Sequence, residues 1–275
     1  MKYQIGKTSR LGNRVVNEDR LGVAEEDDRL LLVLADGMGG YRGGQLASGA
    51  LVKSMLRQFQ RHRGAIDDPI AFLKVLIDEA HQAVIRKGAE QYPPVQPRTT
   101  CVVCLIQQGR AWWAHVGDSR LYFFRDARVH TRTRDHSKVE YLLQKGKIEP
   151  RELRKHPQRH LVTRCVGAAA QPPQAAFGEG VTLHKKDILL LCSDGLWEAV
   201  DGAYMAETLA SNTLPKAVDQ LAYQAEFRSY PEADNISVLA LRWISAESEA
   251  AQNKEMEDDE LAQTLKALDQ ALDRG

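Results

Sequence analysis

Cysteine is scarce in this chain, with four residues in 275. Two of them, Cys101 and Cys104, lie three apart in a run (residues 99–106) that reads as a strand. Side chains three apart on a strand face opposite sides. No second pair completes a zinc site, so a zinc-ribbon reading is excluded. Cys101, Cys104, Cys165 and Cys192 are expected to be reduced, buried and structural. A charge excess of either sign is also missing, since 37 Lys and Arg balance 37 Asp and Glu. That removes bulk attraction to nucleic acid or to an acidic membrane. No apolar run approaches the ~20 residues needed to cross a bilayer. Residues 1–7 hold no apolar signal-peptide core, and the expected location is the cytoplasm. No repeat at a solenoid period is visible.

The chain is 43% hydrophobic and 27% charged, which describes a soluble globular protein. Its 275 residues suffice for one large domain or two small ones. Residues 1–35 contain two or three strand-like runs, with turns at 11–13 and 25–28. Leu46, Ala50, Leu51, Met55, Leu56 and Phe59 keep a helical period up to about residue 61. A second helix fits 69–90, opening on Pro69, which a first turn tolerates. Strands follow at 99–107, 110–117 and 119–126, then a short helix at 139–145. Strands return near 181–184 and 187–192. One helix follows Asp194, another spans 215–228, and a last strand covers 236–243. Strand runs broken by helix pairs predict an α+β fold with helices packed on antiparallel sheets.

Carboxylates recur where apolar runs end. Residues 30–35, Leu-Leu-Leu-Val-Leu-Ala, meet Asp36-Gly37-Met38-Gly39-Gly40. Residues 114–117 meet Asp118-Ser119-Arg120, and residues 188–193 meet Asp194-Gly195. Asp234-Asn235 opens the run 236–241. Acids gathered at the rim of a core repel one another and lose hydration, so they protonate or bind cations. An all-oxygen site suits magnesium or manganese. Two such ions ~3.5–4 Å apart can acidify a bridging water for in-line attack on phosphorus. A nearby arginine can grip the phosphoryl oxygens. Arg14, Glu18, Asp19, Asp36, Asp118, Asp194 and Asp234 form a set with the required chemistry. The Met38-Gly39-Gly40 loop lacks the lysine of a P-loop.

With these segments, the sequence resembles the metal-dependent serine/threonine protein phosphatases of the PP2C (PPM) family, the bacterial branch in particular. The matching segments, in family order, begin with Arg14-Val15-Val16-Asn17-Glu18-Asp19-Arg20 and Ala35-Asp36-Gly37-Met38-Gly39-Gly40. Gly117-Asp118-Ser119-Arg120-Leu121-Tyr122, Asp135-His136-Ser137 and Thr163-Arg164-Cys165-Val166-Gly167 follow. Ser193-Asp194-Gly195-Leu196-Trp197-Glu198 and Asp234-Asn235-Ile236-Ser237-Val238 complete the set. The resemblance covers about residues 3–243. It implies a sandwich of two antiparallel sheets with helices outside both (α-β-β-α layers), and a metal cleft at one end.

It also implies roles. Asp36 bridges two core ions, Mn²⁺ or Mg²⁺, and the Gly37 carbonyl binds the second. Asp194 and Asp234 complete the first ion's shell. Glu18 holds the second ion's waters, with Asp19 beside it. Asp118 with Asp194 matches a weaker third metal site, and Arg14 matches the phosphate-binding arginine. The resemblance implies hydrolysis of phosphoserine and phosphothreonine by direct attack of a metal-bridging hydroxide. The partners it implies are phosphorylated proteins, including a bacterial Ser/Thr kinase or its substrates.

The domain is expected over residues 1–245, with a flap at about 136–180. Met38 stands where many eukaryotic members carry histidine, so the general acid is unassigned. His160 stands where asparagine is commoner, and Cys165-Val166 replaces the usual Ala-Leu. Two other functional readings are a phosphoprotein-binding adaptor and a phosphatase of anti-sigma antagonist proteins. The acidic tail, residues 246–275, is expected to be helical over 255–273, with Leu261, Leu265, Leu268 and Leu272 on one stripe. It is a candidate partner-binding segment of a chain expected to be monomeric.

Overall fold

The computed structural model describes residues 1–38, 43–149, 152, 156–168 and 171–245. The expected tail helix lies outside the described residues.

The chain opens with strands β1 (Lys2–Arg10), β2 (Arg20–Glu26), β3 (Arg29–Ala35) and the short β4 (Gly37–Met38). Helices α1 (Gly43–Arg61) and α2 (Pro69–Ala89) follow. Next come β5 (Arg98–Thr99), β6 (Cys101–Gln107), β7 (Arg110–Val116), β8 (Arg120–Arg125) and β9 (Arg128–Arg132). After α3 (Lys138–Gln144) and the two-residue strands β10 (Ala176–Phe177) and β11 (Val181–Thr182), β12 spans Ile188–Cys192. The last elements are α4 (Asp194–Trp197), α5 (Gly202–Ser211), α6 (Leu214–Ser229) and β13 (Ile236–Ser245).

Two antiparallel sheets form the centre. One has the order β1-β13-β12-β8-β9, and the other runs β10-β7-β6-β3-β2 with β11 beside β7. The run 29–35 explains the layering. Leu30, Leu32 and Leu34 face the core between the sheets, where they meet Phe123, Leu191 and Leu239. Leu31, Val33 and Ala35 face outward onto Leu51, Met55 and Phe59 of α1. A strand covered on both sides has no reason to alternate, hence its unbroken apolar sequence. On the other outer face, Leu190 and Val238 pack against Leu209, Leu214 and Leu221 of α5 and α6. The layers are therefore α-β-β-α, as the resemblance implies. Cys101 joins the outer core and Cys104 the inner one, on opposite faces of one strand.

Four expectations need correction. Strand β9 is absent from the sequence reading because its side chains are polar and largely exposed; basic residues suit an edge strand. Helix α5, capped by Asp201 accepting from the Tyr204 amide at 2.9 Å, is also absent from it, and the helix at Asp194 is a single turn. Cys165 is only half-buried, unlike the other three cysteines.

Antiparallel pairing decides where the acids go. Strands β3 and β7 both pair antiparallel with β6, so they run parallel and end at the same rim. Cys192, at the end of β12, lies opposite both Arg120, the start of β8, and Val238 near the start of β13. Arg10, the end of β1, lies opposite Ile236, and Arg20, the start of β2, opposite Ala35. Asp36, Asp118, Asp194, Asp234 and the loop 11–19 therefore emerge together at one end of the sandwich.

Candidate active site

That rim holds a cleft of about 410 Å³. Arg14, Glu18, Asp36, Gly37, Asp118, Asp194 and Asp234 all line it, along with Met38, Thr100, His160, Val162 and Asn235. Asp19 does not. It is buried behind the cleft wall and accepts a 2.8 Å hydrogen bond from Ser193 Oγ. Ser193 Oγ in turn accepts from the Ser237 amide at 2.9 Å.

The backbone around each acid is tied down. The Asp36 amide donates to Thr100 Oγ1 at 2.9 Å, while its carbonyl accepts from the Thr100 amide and the Thr99 hydroxyl, each at 2.8 Å. Thr100 and Ser119 share a 2.7 Å hydroxyl contact, which links the Asp36 and Asp118 loops. The Asp118 carbonyl accepts from Trp197 Nε1 at 2.9 Å. Trp197 stacks beneath Arg120, whose guanidinium carbon lies 3.5 Å from the ring centroid. Arg120 forks onto both oxygens of buried Asp135, at 2.8 and 2.7 Å. Asn235 clamps the loop 11–19: its Nδ2 donates to the Leu11 and Val16 carbonyls, and its Oδ1 accepts from the Glu18 amide. Ser48 of α1 donates to the Glu18 carbonyl.

Glycine is required at two points of contact. A Cβ on Gly44 would fall 2.6 Å from the Glu18 carboxyl, and one on Gly37 would fall 2.2 Å from the Gly44 carbonyl oxygen. Only a bare backbone lets the start of α1 approach the Gly37 carbonyl and Glu18 this closely.

Electrostatically the site is costly. Burial, then the neighbouring Asp19, Asp194, Asp118 and Asp234, holds the Asp36 carboxyl well above its ordinary range. Burial and then Asp118 and Asp234 do the same to Asp194. Burial, with Asp135 next, pushes Asp118 up to about 7. Asp19 is pushed up to about 6, chiefly by burial and against the hydrogen bonds from Ser237 and Ser193. Glu18 Oε1 and Asp19 Oδ1 are buried oxygens with no hydrogen-bond partner. Crowded carboxylates with orphaned oxygens are the donor set of a hard divalent cation. The residues present fit a metal centre.

The family model described as protein phosphatase 2C matches residues 7–223. The chain belongs to the protein phosphatase 2C family. It is a metal-dependent serine/threonine protein phosphatase, a hydrolase acting on phosphoproteins. It is 32% identical over 237 residues to the serine/threonine phosphatase stp of Listeria innocua, a match covering 85% of this chain and 92% of that one. A Streptococcus agalactiae serine/threonine phosphatase structure superposes with a TM-score of 0.80 at 28% identity, covering 89% of this chain and all of that one. The catalytic domain of the phosphatase PstP, solved with two manganese ions, superposes with a TM-score of 0.74 at 27% identity, covering 88% of this chain and 99% of that one. Among the described residues, no helix is long and apolar enough to cross a membrane.

Sequence reasoning missed three features of the site. It placed Asp19 beside Glu18, but adjacent residues point apart here, and Asp19 turns inward to Ser193. It overlooked the two serines as a brace, because Ser193 and Asp19 are 174 positions apart. It placed His160 at the end of the flap, where it could alter substrate handling, but did not foresee its partner. His160 lines the cleft, with its Nδ1 3.3 Å from Glu198 Oε1.

Proposed function

We propose that Glu18, Asp36, the Gly37 carbonyl, Asp194 and Asp234 would hold two divalent ions, Mn²⁺ or Mg²⁺. Asp118 with Asp194 offers a third, weaker position. The observation that carries this reading is the convergence of these carboxylates on one cleft with Arg14 at its mouth, where Asp36 and Asp194 have raised proton affinities. When bound, the ions supply Lewis acidity and an acidified water for attack on phosphorus.

The protein's own groups do the rest. Arg14 is exposed and forked, so it grips two phosphoryl oxygens and sets the ester in line. Asn235 fixes the loop that carries both Arg14 and Glu18. Asp19 and Ser193 keep the floor rigid by a buried, charge-assisted bond. Met38 has no proton to donate, so solvent protonates the leaving serine or threonine oxygen. The substrate is a phosphoserine or phosphothreonine of a protein, and the physiological partner is a Ser/Thr kinase or its targets. Residues 1–245 act as one phosphatase domain, the flap expected at 136–180 contributes His160 and Val162 to the cleft wall, and the place of action is the cytoplasm.

Purified protein should hydrolyse phosphothreonine peptides only with Mn²⁺ or Mg²⁺. The substitution Asp36→Asn should cost roughly 10²-fold or more in kcat, the scale of losing a group that stabilises developing charge. Full activity of D36N in excess chelator would overturn the reading.

A further inference from the structure

The cleft has a neighbour of different chemistry. His160, Asp194 and Glu198 each offer one ligand atom, and these atoms all lie within 4.8 Å of one another. His160 Nδ1 and Glu198 Oε1 are 3.3 Å apart. Two ligands with bonds of ~2.0–2.2 Å to one ion stand roughly 3–4 Å apart, so this spacing suits a shared cation. The same three residues line a second hollow next to the cleft, of about 540 Å³, which opens toward Pro231 and Glu232.

We infer that His160, Asp194 and Glu198 bind a divalent transition ion of the zinc type, adjacent to the hard-ion pair and sharing Asp194 with it. An imidazole in the set shifts preference away from magnesium and toward zinc, cobalt or nickel. The ligands come from two places. Asp194 and Glu198 sit on and just after α4, one turn apart, and His160 lies in the segment 156–168. Arg159, its neighbour, already reaches toward Glu198 Oε2 at 3.9 Å. The ion replaces the proton that a His160–Glu198 ion pair would need, and it fastens this segment to α4. His160 and Val162 also line the cleft. Occupancy by a zinc-type ion therefore fixes one wall of the substrate site, which makes substrate access sensitive to a metal that is not the catalytic one. The inference rests on the reading above only through Asp194, which both sites share.

Histidine ring resonances test it. The protein is saturated with Mg²⁺ to fill the hard sites, and Zn²⁺ is then added. The ring signals of His160 are identified by their absence from His160→Gln protein. Zn²⁺ should move the His160 Nδ1 signal, and Glu198→Gln should weaken the response by about tenfold or more. A His160 signal that stays still at saturating Zn²⁺, or that moves equally in E198Q, overturns the inference. Should E198Q not fold, zinc analysis decides: H160Q should retain one ion fewer per chain than the native protein, and equal content overturns the site. The Mg²⁺ step tests the hard pair in the same sample. Mg²⁺ shifts of the Asp36 and Gly37 amides alongside a silent His160 would remove this inference and leave the binuclear reading standing.

Discussion

Arg14 Nη2 donates to Asp234 Oδ2 at 2.7 Å, and both side chains remain open to solvent at the mouth of the cleft. The Asp234 carboxylate, chiefly through this hydrogen bond, raises the affinity of Arg14 for its proton. A guanidinium held beside a proposed ion ligand is placed to meet an incoming phosphate dianion. Its planar fork matters more than its charge. Arg14→Ala should lower kcat/KM for a phosphopeptide by on the order of 10²-fold. Arg14→Lys should recover only part of that loss. Steady-state kinetics at fixed Mn²⁺ would check both, and full recovery by lysine would show that charge alone suffices.

The pH dependence of stability follows from the crowded acids. Folding raises Asp19 to about 6 and Asp118 to about 7, above their ordinary 3.8. The folded chain therefore keeps protons that the unfolded chain has released. Without divalent ions, stability should fall as pH rises from about 4 through about 7. Thermal melts in chelator should show a higher Tm at pH 5 than at pH 8, by several degrees, given roughly 2–4 °C per kcal/mol for a domain of this size. Saturating Mn²⁺ should reverse the trend, because the ions compete with protons for the same oxygens. A chelated protein whose Tm rises with pH over this range would contradict the assigned crowding.

Ser193 bridges a buried acid and a buried amide. Ser193→Ala removes one hydrogen bond from buried Asp19 and leaves the Ser237 amide without its partner, which should cost about 1–3 kcal/mol. Denaturant unfolding would measure this. A metal titration should show weaker Mn²⁺ binding as well, since Asp19 forms the floor beneath Asp36.

Gly44→Ala tests a contact that has no charge at all. Its methyl group would sit on the Glu18 carboxyl. Glu18 should be displaced with α1 left intact, so Mn²⁺ affinity should drop while helical circular dichroism holds. Gly37→Ala is the harsher change, because its three nearest contacts, at 2.2–2.7 Å, are all backbone atoms of Gly44, whereas the Gly44 methyl meets the Glu18 carboxyl first and only one backbone atom, the Gly37 carbonyl carbon at 2.7 Å. It should destabilise the whole fold.

Much of this was readable from the chain. Each rim acid abuts an apolar run, and strands ending in the same direction deliver their next residue to the same edge. The layering was equally legible, because only a strand covered twice tolerates Leu30 through Ala35 without a polar residue. What escaped depended on distant partners. Nothing local to Asp19 indicates that it turns inward to a serine 174 positions away. Nothing near His160 announces Glu198, since the two lie 38 positions apart on separate elements that only the folded sandwich brings together. Strand β9 escaped for a different reason: an edge strand that avoids aggregation suppresses the apolar alternation by which strands are recognised.

The acids at the rim come from points as far apart as residue 18 and residue 234. During synthesis the cleft stays unfinished until β13 has left the ribosome and slotted between β1 and β12. A chain that ends before Asp234 lacks one of the proposed ion ligands and the strand that closes the sheet between β1 and β12.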